Sequence, residues 1–128
     1  MRLLLDTHAL LWWLAEDASL TKSARRAIAH KKNIVLVSAA SAWEIATKVR
    51  LGKLQAAADL TENFAAYVAN EQFEELPVGV EHGIRAGSLP GAHKDPFDRM
   101  LIAQAQAESL TVVSNETIFD GYGVRRIW

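Results

Sequence analysis

The amino-acid sequence predicts an α/β fold in which helices cover both faces of a parallel β-sheet. Short, continuous apolar runs at residues 3–5 and 34–37 are typical of strands that are buried on both faces, and the β-branched residues 111–113 predict another strand. Segments with helical spacing of apolar residues alternate with these runs. The connections are longer than hairpin turns, as right-handed βαβ crossovers require. The length of 128 residues fits one domain spanning residues 1–128.

The composition indicates a compact folded chain, because 50% of the residues are hydrophobic and 23% are charged. The net charge of -1 gives no overall signal for nucleic acid, although a local acidic pocket with basic neighbours remains compatible with it. The absence of cysteine excludes a disulfide framework and thiolate metal sites, and it fits a cytoplasmic protein. Asp6 and His8 interrupt the apolar N-terminal stretch, so we expect neither a signal segment nor a membrane span there.

The first strand is predicted to lead into a helix over residues 8–15 that is apolar on almost every side. Packing on a sheet needs only one apolar face. Trp12 and Trp13 are therefore candidates for contact with another chain, and the alternative is a helix that is buried all round. Thr21 predicts the cap of a basic helix that Asn33 can end.

The second strand is predicted to be followed by turn and cap residues at 38–41 and by a helix that Gly52 ends. The apolar spacing over residues 59–71 predicts one helix. A short strand over residues 73–76 is expected to stop at Pro77.

In the C-terminal part, Asp95 and Pro96 predict the start of a long helix, because Asp is a favourable cap and Pro is favoured at the first helical position. The other predicted elements there are a short helix ended by Gly87, a loop, a helical turn and a terminal strand, at residues 80–86, 89–94, 115–120 and 124–128.

Four acidic residues either follow a predicted strand or lie on a helix next to one in the chain, and each also has a purely structural interpretation. Asp6 could cap a helix, and Glu44 could form an ordinary ion pair with Lys48 one turn later. Asp98 and Glu116 could each complement a helix dipole from the first turn, the latter after a cap at residue 115.

The positions of these acids nevertheless predict a shared site. Two follow the first and fourth strands and two lie on the adjoining helices, and sites in parallel sheets form beyond the carboxyl ends of the strands. Bringing carboxylates to about 4 Å costs roughly 1 to 4 kcal/mol per pair, which a hard divalent cation relieves. Mg²⁺ or Mn²⁺ suits oxygen ligands and can activate water for attack on phosphate esters. Thr7 and Ser38 or Ser41 are candidates to hydrogen-bond the carboxylates.

Four ordered motifs resemble the PIN-domain ribonucleases, and most closely the VapC toxins of bacterial type II toxin-antitoxin systems. The motifs are LLLDTH, SAWEIATK, DPFDRMLIAQA and TVVSNE at residues 3–8, 41–48, 95–105 and 111–116. The resemblance runs essentially end to end. It implies a three-layer α/β/α domain with strand order 3-2-1-4-5 and Mg²⁺- or Mn²⁺-dependent endoribonuclease activity.

The resemblance also implies roles for individual residues. It assigns the catalytic and metal-binding positions to Asp6, Glu44, Asp98 and Glu116. Further candidates for supporting these acids or contacting the substrate are Thr7, Ser41, Asp95, Arg99 and Ser114. The chain departs from the family at the last acid, which is usually Asp in a Thr-Arg-Asp context but here is Glu116 after Ser114 and Asn115.

The partners that the resemblance implies are an RNA substrate, a second copy of the chain and a small VapB-type antitoxin that covers the acidic pocket. Trp12 and Trp13 would offer apolar surface to that antitoxin. The main alternative is a PIN-like module that binds protein or RNA without cutting it, and the substitution at Glu116 favours this alternative. An aspartyl-phosphate phosphatase is less favoured, because Asp6 lacks a second Asp two residues later.

Overall fold

A computed structural model describes residues 1–128 and contains one five-stranded parallel sheet. Its strands are β1 (Arg2–Leu5), β2 (Ile34–Ser38), β3 (Glu74–Leu76), β4 (Thr111–Val113) and β5 (Arg126–Ile127). They lie in the order β3-β2-β1-β4-β5, and every pairing is parallel. The predicted strand order is confirmed. The residue after the central strand β1 is Asp6.

Seven α-helices connect and cover the strands. They are α1 (Thr7–Leu14), α2 (Lys22–Ala29), α3 (Ala39–Arg50), α4 (Ala58–Glu62), α5 (Phe64–Asn70), α6 (Val80–Ser88) and α7 (Pro96–Glu108). Two 3₁₀ helices span Gln55–Ala57 and Thr117–Tyr122. The predicted caps are present, since Asp6, Thr21 and Asp95 each accept a backbone N–H in the first turn of the helix that follows.

Alternating side chains of the sheet divide the core into two layers. Leu3 and Leu5 point to one face, where residues of α1 to α5 pack, and Leu4 points to the other, where residues of α7 pack. All three leucines are fully buried. The fold is therefore the three-layer α/β/α sandwich that the sequence predicts.

The prediction of a single helix over residues 59–71 was wrong, because the chain forms α4 and α5 with a break at Asn63. The Asn63 side chain donates a 3.1 Å hydrogen bond to the backbone oxygen of Asp59. Such bonds compete with the regular helical pattern. The predicted stop at Gly87 was also displaced, since α6 continues to Ser88.

The chain itself covers much of the surface of Trp12 and Trp13, and both are half-buried. Trp12 packs against Trp128, whereas Trp13 packs against Phe73 and donates a 3.2 Å hydrogen bond to Glu71. The most exposed large apolar side chains lie on α3 and α6 instead: Trp43 at 62%, Val80 at 84% and Ile84 at 67%. None of the helices combines the length and the apolar character needed to cross a bilayer.

Candidate active site

A polar cavity of about 100 Å³ opens where β1 and β4 end. No hydrophobic residue lines it. Its lining residues are Asp6, Thr7, His8, Glu44, Lys48, Asp95, Asp98 and Glu116. The four acids that the sequence predicts to form a site therefore meet in one place, although they come from four separate parts of the chain.

Asp6 is the most deeply placed of these acids and is only 4% exposed. Its backbone N–H donates to the oxygen of Val113 on β4, and its Oδ1 accepts a 2.7 Å hydrogen bond from the N–H of Ala9. Burial raises the pKa of Asp6; the Ser114 hydroxyl and the Ala9 N–H lower it, and repulsion from Asp98 raises it further. The helix cap and the site acid are thus the same residue.

Glu44 lies on α3 and is buried, and its Oε2 is 2.5 Å from the Nζ of Lys48. The ordinary ion pair that the sequence allows is therefore formed. Lys48 also lines the cavity, so this pair lies within the acidic site. The ammonium offsets part of the negative charge that the cavity gathers.

Asp98 projects from the first turn of α7 and is half-buried. The Nε2 of His93 lies 3.0 Å from its Oδ2. Desolvation raises the pKa of Asp98, and repulsion from Asp95 and Glu44 adds to this, whereas the hydrogen bond with His93 lowers it. Repulsion from Asp95 and Glu44 is what is expected where several carboxylates lie around one cavity.

Glu116 lines the cavity and is exposed. The predicted cap at Asn115 was wrong by one position, because the 3₁₀ helix begins at Thr117 and Glu116 itself occupies the cap position. The backbone N–H of Glu116 donates a 2.9 Å hydrogen bond to the Oγ of Ser114. Ser114, which is fully buried, therefore orients the segment that carries the last acid.

Three of the predicted supporting residues hold the acid-bearing helices. The Oγ1 of Thr7 donates a 3.0 Å hydrogen bond to the Oγ of Ser41, which ties α1 to α3 in a buried position. Asp95 accepts hydrogen bonds from the N–H groups of Phe97 and Asp98 at 2.9 and 3.1 Å. It caps α7 and also lines the cavity.

Arg99 does not line the acidic cavity. Its guanidinium donates to the backbone oxygens of Ala86, Leu89 and His93 at 3.0, 2.7 and 3.0 Å. It therefore holds the loop that carries His93 to the end of α6. Because Arg presents several donors in a rigid fork, one side chain can satisfy all three carbonyls.

Two imidazoles of the site, His8 and His93, are missing from the residues predicted from the sequence. His8 lies two residues after Asp6 in the first motif, so its position gives a signal that could have found it. His93 belongs to a loop without any regular pattern, and only the folded chain brings it to Asp98.

The carboxylate donors suit a hard divalent cation better than a soft metal, because they offer oxygen and no thiolate. The residues that could hold such an ion are Asp6, Glu44 and Asp98, with Glu116 at the mouth. In this conformation no three His, Cys, Asp or Glu side chains converge as ready ligands of one ion. Ion binding would therefore require side-chain adjustment.

The sequence matches a known protein family over almost its whole length. The family model of the PIN domain matches residues 3–124. The chain belongs to the PIN-domain family. No curated protein matches this PIN domain in sequence.

Solved structures with the same fold include several toxin-antitoxin proteins. A chain of VapBC2 from Rickettsia felis, solved with a DNA fragment from its promoter, is 16% identical and has a TM-score of 0.73, with 98% of the PIN domain and 97% of that chain covered. DNA-bound VapBC from Salmonella typhimurium gives 19% identity, a TM-score of 0.67 and coverage of 98% and 96%. VapC20 from Mycobacterium tuberculosis, described as a sarcin-ricin loop cleaving toxin, is 16% identical and has a TM-score of 0.64, with 95% of both chains covered. At these identities the likeness establishes the fold.

Proposed function

We propose that this PIN domain is a metal-dependent endoribonuclease that hydrolyses RNA phosphodiester bonds. The observation that supports this most strongly is the meeting of Asp6, Glu44, Asp98 and Glu116 in one polar cavity at the carboxyl edge of the sheet. No apolar side chain lines this cavity, so it suits a charged group better than an apolar ligand. The family assignment supports a nuclease, because the acids lie in the motifs that resemble PIN-domain ribonucleases.

In the proposed reaction, Asp6, Glu44 and Asp98 would hold Mg²⁺ or Mn²⁺. Such a cation, when bound, makes water a stronger nucleophile and offsets charge on the phosphoryl oxygens. Asp6 supplies a carboxylate that the sheet and the Ala9 N–H keep in place. Glu116 is exposed at the cavity, where its carboxylate can ligate the ion or orient the attacking water.

Two nitrogen-bearing side chains contact acids of the site. Lys48 is ion-paired with Glu44, and His93 is hydrogen-bonded to Asp98. The Lys48 ammonium offsets part of the negative charge at the cavity. Because Lys48 lines the cavity, its ammonium would be placed to contact a substrate phosphate there.

We further propose that the protein is the toxin of a toxin-antitoxin pair in the cytoplasm, that it forms a homodimer and that a VapB-type antitoxin blocks its cavity. The four motifs and the likeness in fold to VapBC proteins support this role. The half-burial of Trp12 and Trp13 within the chain reduces the apolar surface that they can offer to the antitoxin.

The alternative function is a PIN-like module that binds RNA or protein without catalysis. Two observations favour it. Glu116 stands where the family usually has Asp, and in this conformation Glu44 and Asp98 are bonded to Lys48 and His93. The two functions differ in whether bound RNA is cut when a divalent cation is supplied.

The decisive experiment incubates the purified protein with structured RNAs in Mg²⁺ or Mn²⁺, with EDTA as one control. Asp98→Asn is the test variant. Asp120→Asn is the matched control, because Asp120 is an exposed acid paired with Arg126 outside the cavity. We expect cutting by the wild type and the control variant alone. Equal cutting by Asp98→Asn would remove the site assignment, whereas RNA binding without any cutting would establish the alternative.

A further inference from the structure

Three aromatic rings form a row that begins at the acidic cavity. The His8 imidazole is stacked on the Trp12 indole, with centroids 5.4 Å apart and an interplanar angle of 20°. The Trp12 ring in turn lies against Trp128, with centroids 5.7 Å apart and an angle of 50°. We call His8, Trp12 and Trp128 the aromatic row.

The fold holds the cavity end of this row in place. His8 and Trp12 are one helical turn apart on α1, and α1 begins directly after its capping residue Asp6. Trp12 and Trp128 are half-buried, whereas His8 is exposed and lines the cavity. Trp12 supports one face of the imidazole, so His8 can offer its other face to a group bound beside the acids.

We infer that the aromatic row is a stacking platform for an unpaired nucleobase of the RNA substrate. The inference rests on the proposed ribonuclease function and adds the class of substrate: RNA with an unpaired nucleotide next to the phosphate in the cavity. The base would stack on His8 and extend the His8–Trp12 stack. Aromatic rings bind single-stranded nucleic acid in this way, because every base has a π face.

The charge of the chain favours a base contact. The net charge is -1 and five acids and one lysine line the cavity, so attraction between cationic side chains and phosphates is weak here. Stacking supplies affinity that does not depend on net charge.

The polarity of the cavity favours a base over an apolar anchor of a protein partner. The row ends at a cavity that no hydrophobic residue lines. A nucleobase presents a π face to His8 and polar edges to the cavity, whereas an apolar side chain would meet only charged and polar groups there.

The test compares two fluorescein-labelled oligonucleotides by fluorescence anisotropy: eight adenosines, and eight abasic ribose phosphates that carry the same backbone charge. All proteins carry Asp98→Asn to prevent cutting, with Mn²⁺ present. The test variants are His8→Ala, which removes the ring, and His8→Phe, which keeps a ring without imidazole nitrogens. Trp13→Phe is the matched control, because Trp13 is the neighbour of Trp12 but packs on Phe73.

We expect the protein to prefer the adenosine oligonucleotide about tenfold. His8→Ala should abolish most of this preference, whereas His8→Phe and Trp13→Phe should keep it. Equal affinity of the protein with intact His8 for the two oligonucleotides overturns the inference. An affinity ratio that His8→Ala leaves unchanged also overturns it and leaves the aromatic row as a surface for a protein partner.

A parallel cleavage assay with the unsubstituted enzyme separates this inference from the proposed function. If the protein cuts RNA but does not prefer the adenosine oligonucleotide, the ribonuclease function stands and the stacking platform is rejected. If the protein binds with the expected preference but never cuts RNA, the ribonuclease function is rejected and the platform stands as a binding surface.

Discussion

The Oγ of Ser38 donates a 2.6 Å hydrogen bond to the Oε1 of Gln104 in the buried interior. Ser38 caps α3, the helix of Glu44, and Gln104 lies on α7, the helix of Asp98. The bond thus ties together two helices that bring acids to the cavity. Gln104 also donates to the oxygen of Pro77 at 3.2 Å.

Replacing this glutamine should destabilise the protein. Gln104→Ala leaves a cavity and removes the partners of Ser38 and Pro77, so we expect a loss of about 2 to 4 kcal/mol in the free energy of unfolding. Urea denaturation measures it. Gln106→Ala is the control, because Gln106 is only half-buried and donates one bond to Tyr122, and its loss should stay near 1 kcal/mol. Equal losses in the two variants would contradict a special role for Gln104.

The loop that carries His93 should loosen when Arg99 is changed to Lys. A lysine ammonium lacks the rigid fork that reaches three carbonyls, so at least one backbone oxygen loses its partner. We expect a loss of about 1 to 3 kcal/mol in stability and faster amide hydrogen exchange over residues 89–94. Arg85→Lys serves as the control, because Arg85 is exposed and its ion pair with Glu81 is long at 4.0 Å. Unchanged exchange in the loop of Arg99→Lys would contradict this account.

Removing one site acid should alter the response to metal. Asp98→Asn relieves repulsion with Asp95 and Glu44 and keeps an oxygen that can accept from His93, so the metal-free variant should melt at a higher temperature than the wild type. Mn²⁺ should raise the melting temperature of the wild type, because it binds the folded state, and should raise that of the variant much less. Differential scanning fluorimetry with and without EDTA measures both effects. Identical metal shifts in the two proteins would exclude Asp98 as a ligand.

The pH dependence of the metal-free protein follows from the raised pKa values of Asp6 and Asp98. A carboxyl whose folded pKa lies above its ordinary value of 3.8 binds its proton more tightly in the folded state. Stability that depends on this proton is therefore present at low pH and is lost as pH rises through the folded pKa.

The stability difference between the wild type and Asp98→Asn isolates this effect from the other acids. Below pH 3.8 both proteins carry a neutral side chain at this position, so the difference should be smallest there. Above the raised pKa the wild type should lose stability relative to the variant. Urea denaturation across this pH range in EDTA measures the difference in the free energy of unfolding. A difference that shrinks as pH rises would contradict the prediction.

Much of the fold could be read from local patterns. Apolar runs predict β1 and β2, and β-branched residues predict β4. Asp6 and Asp95 cap their helices as expected, because strand burial and capping depend on residues close in sequence. The four motifs led to the strand order, which the structure confirms. The gathering of the acids followed from the rule that parallel strands end at one edge of the sheet. Their roles in metal binding and catalysis stay predictions.

Other features depend on residues that are distant in sequence. His93 contacts Asp98 from a loop that Arg99 holds to α6, and Trp128 from the far end of the chain covers part of Trp12. Hydrophobic periodicity predicts which side chains are buried, but it does not predict which residues they contact. Strand ends and caps follow from local chemistry, whereas the partners of each charged or aromatic group depend on packing, which brings the distant elements together.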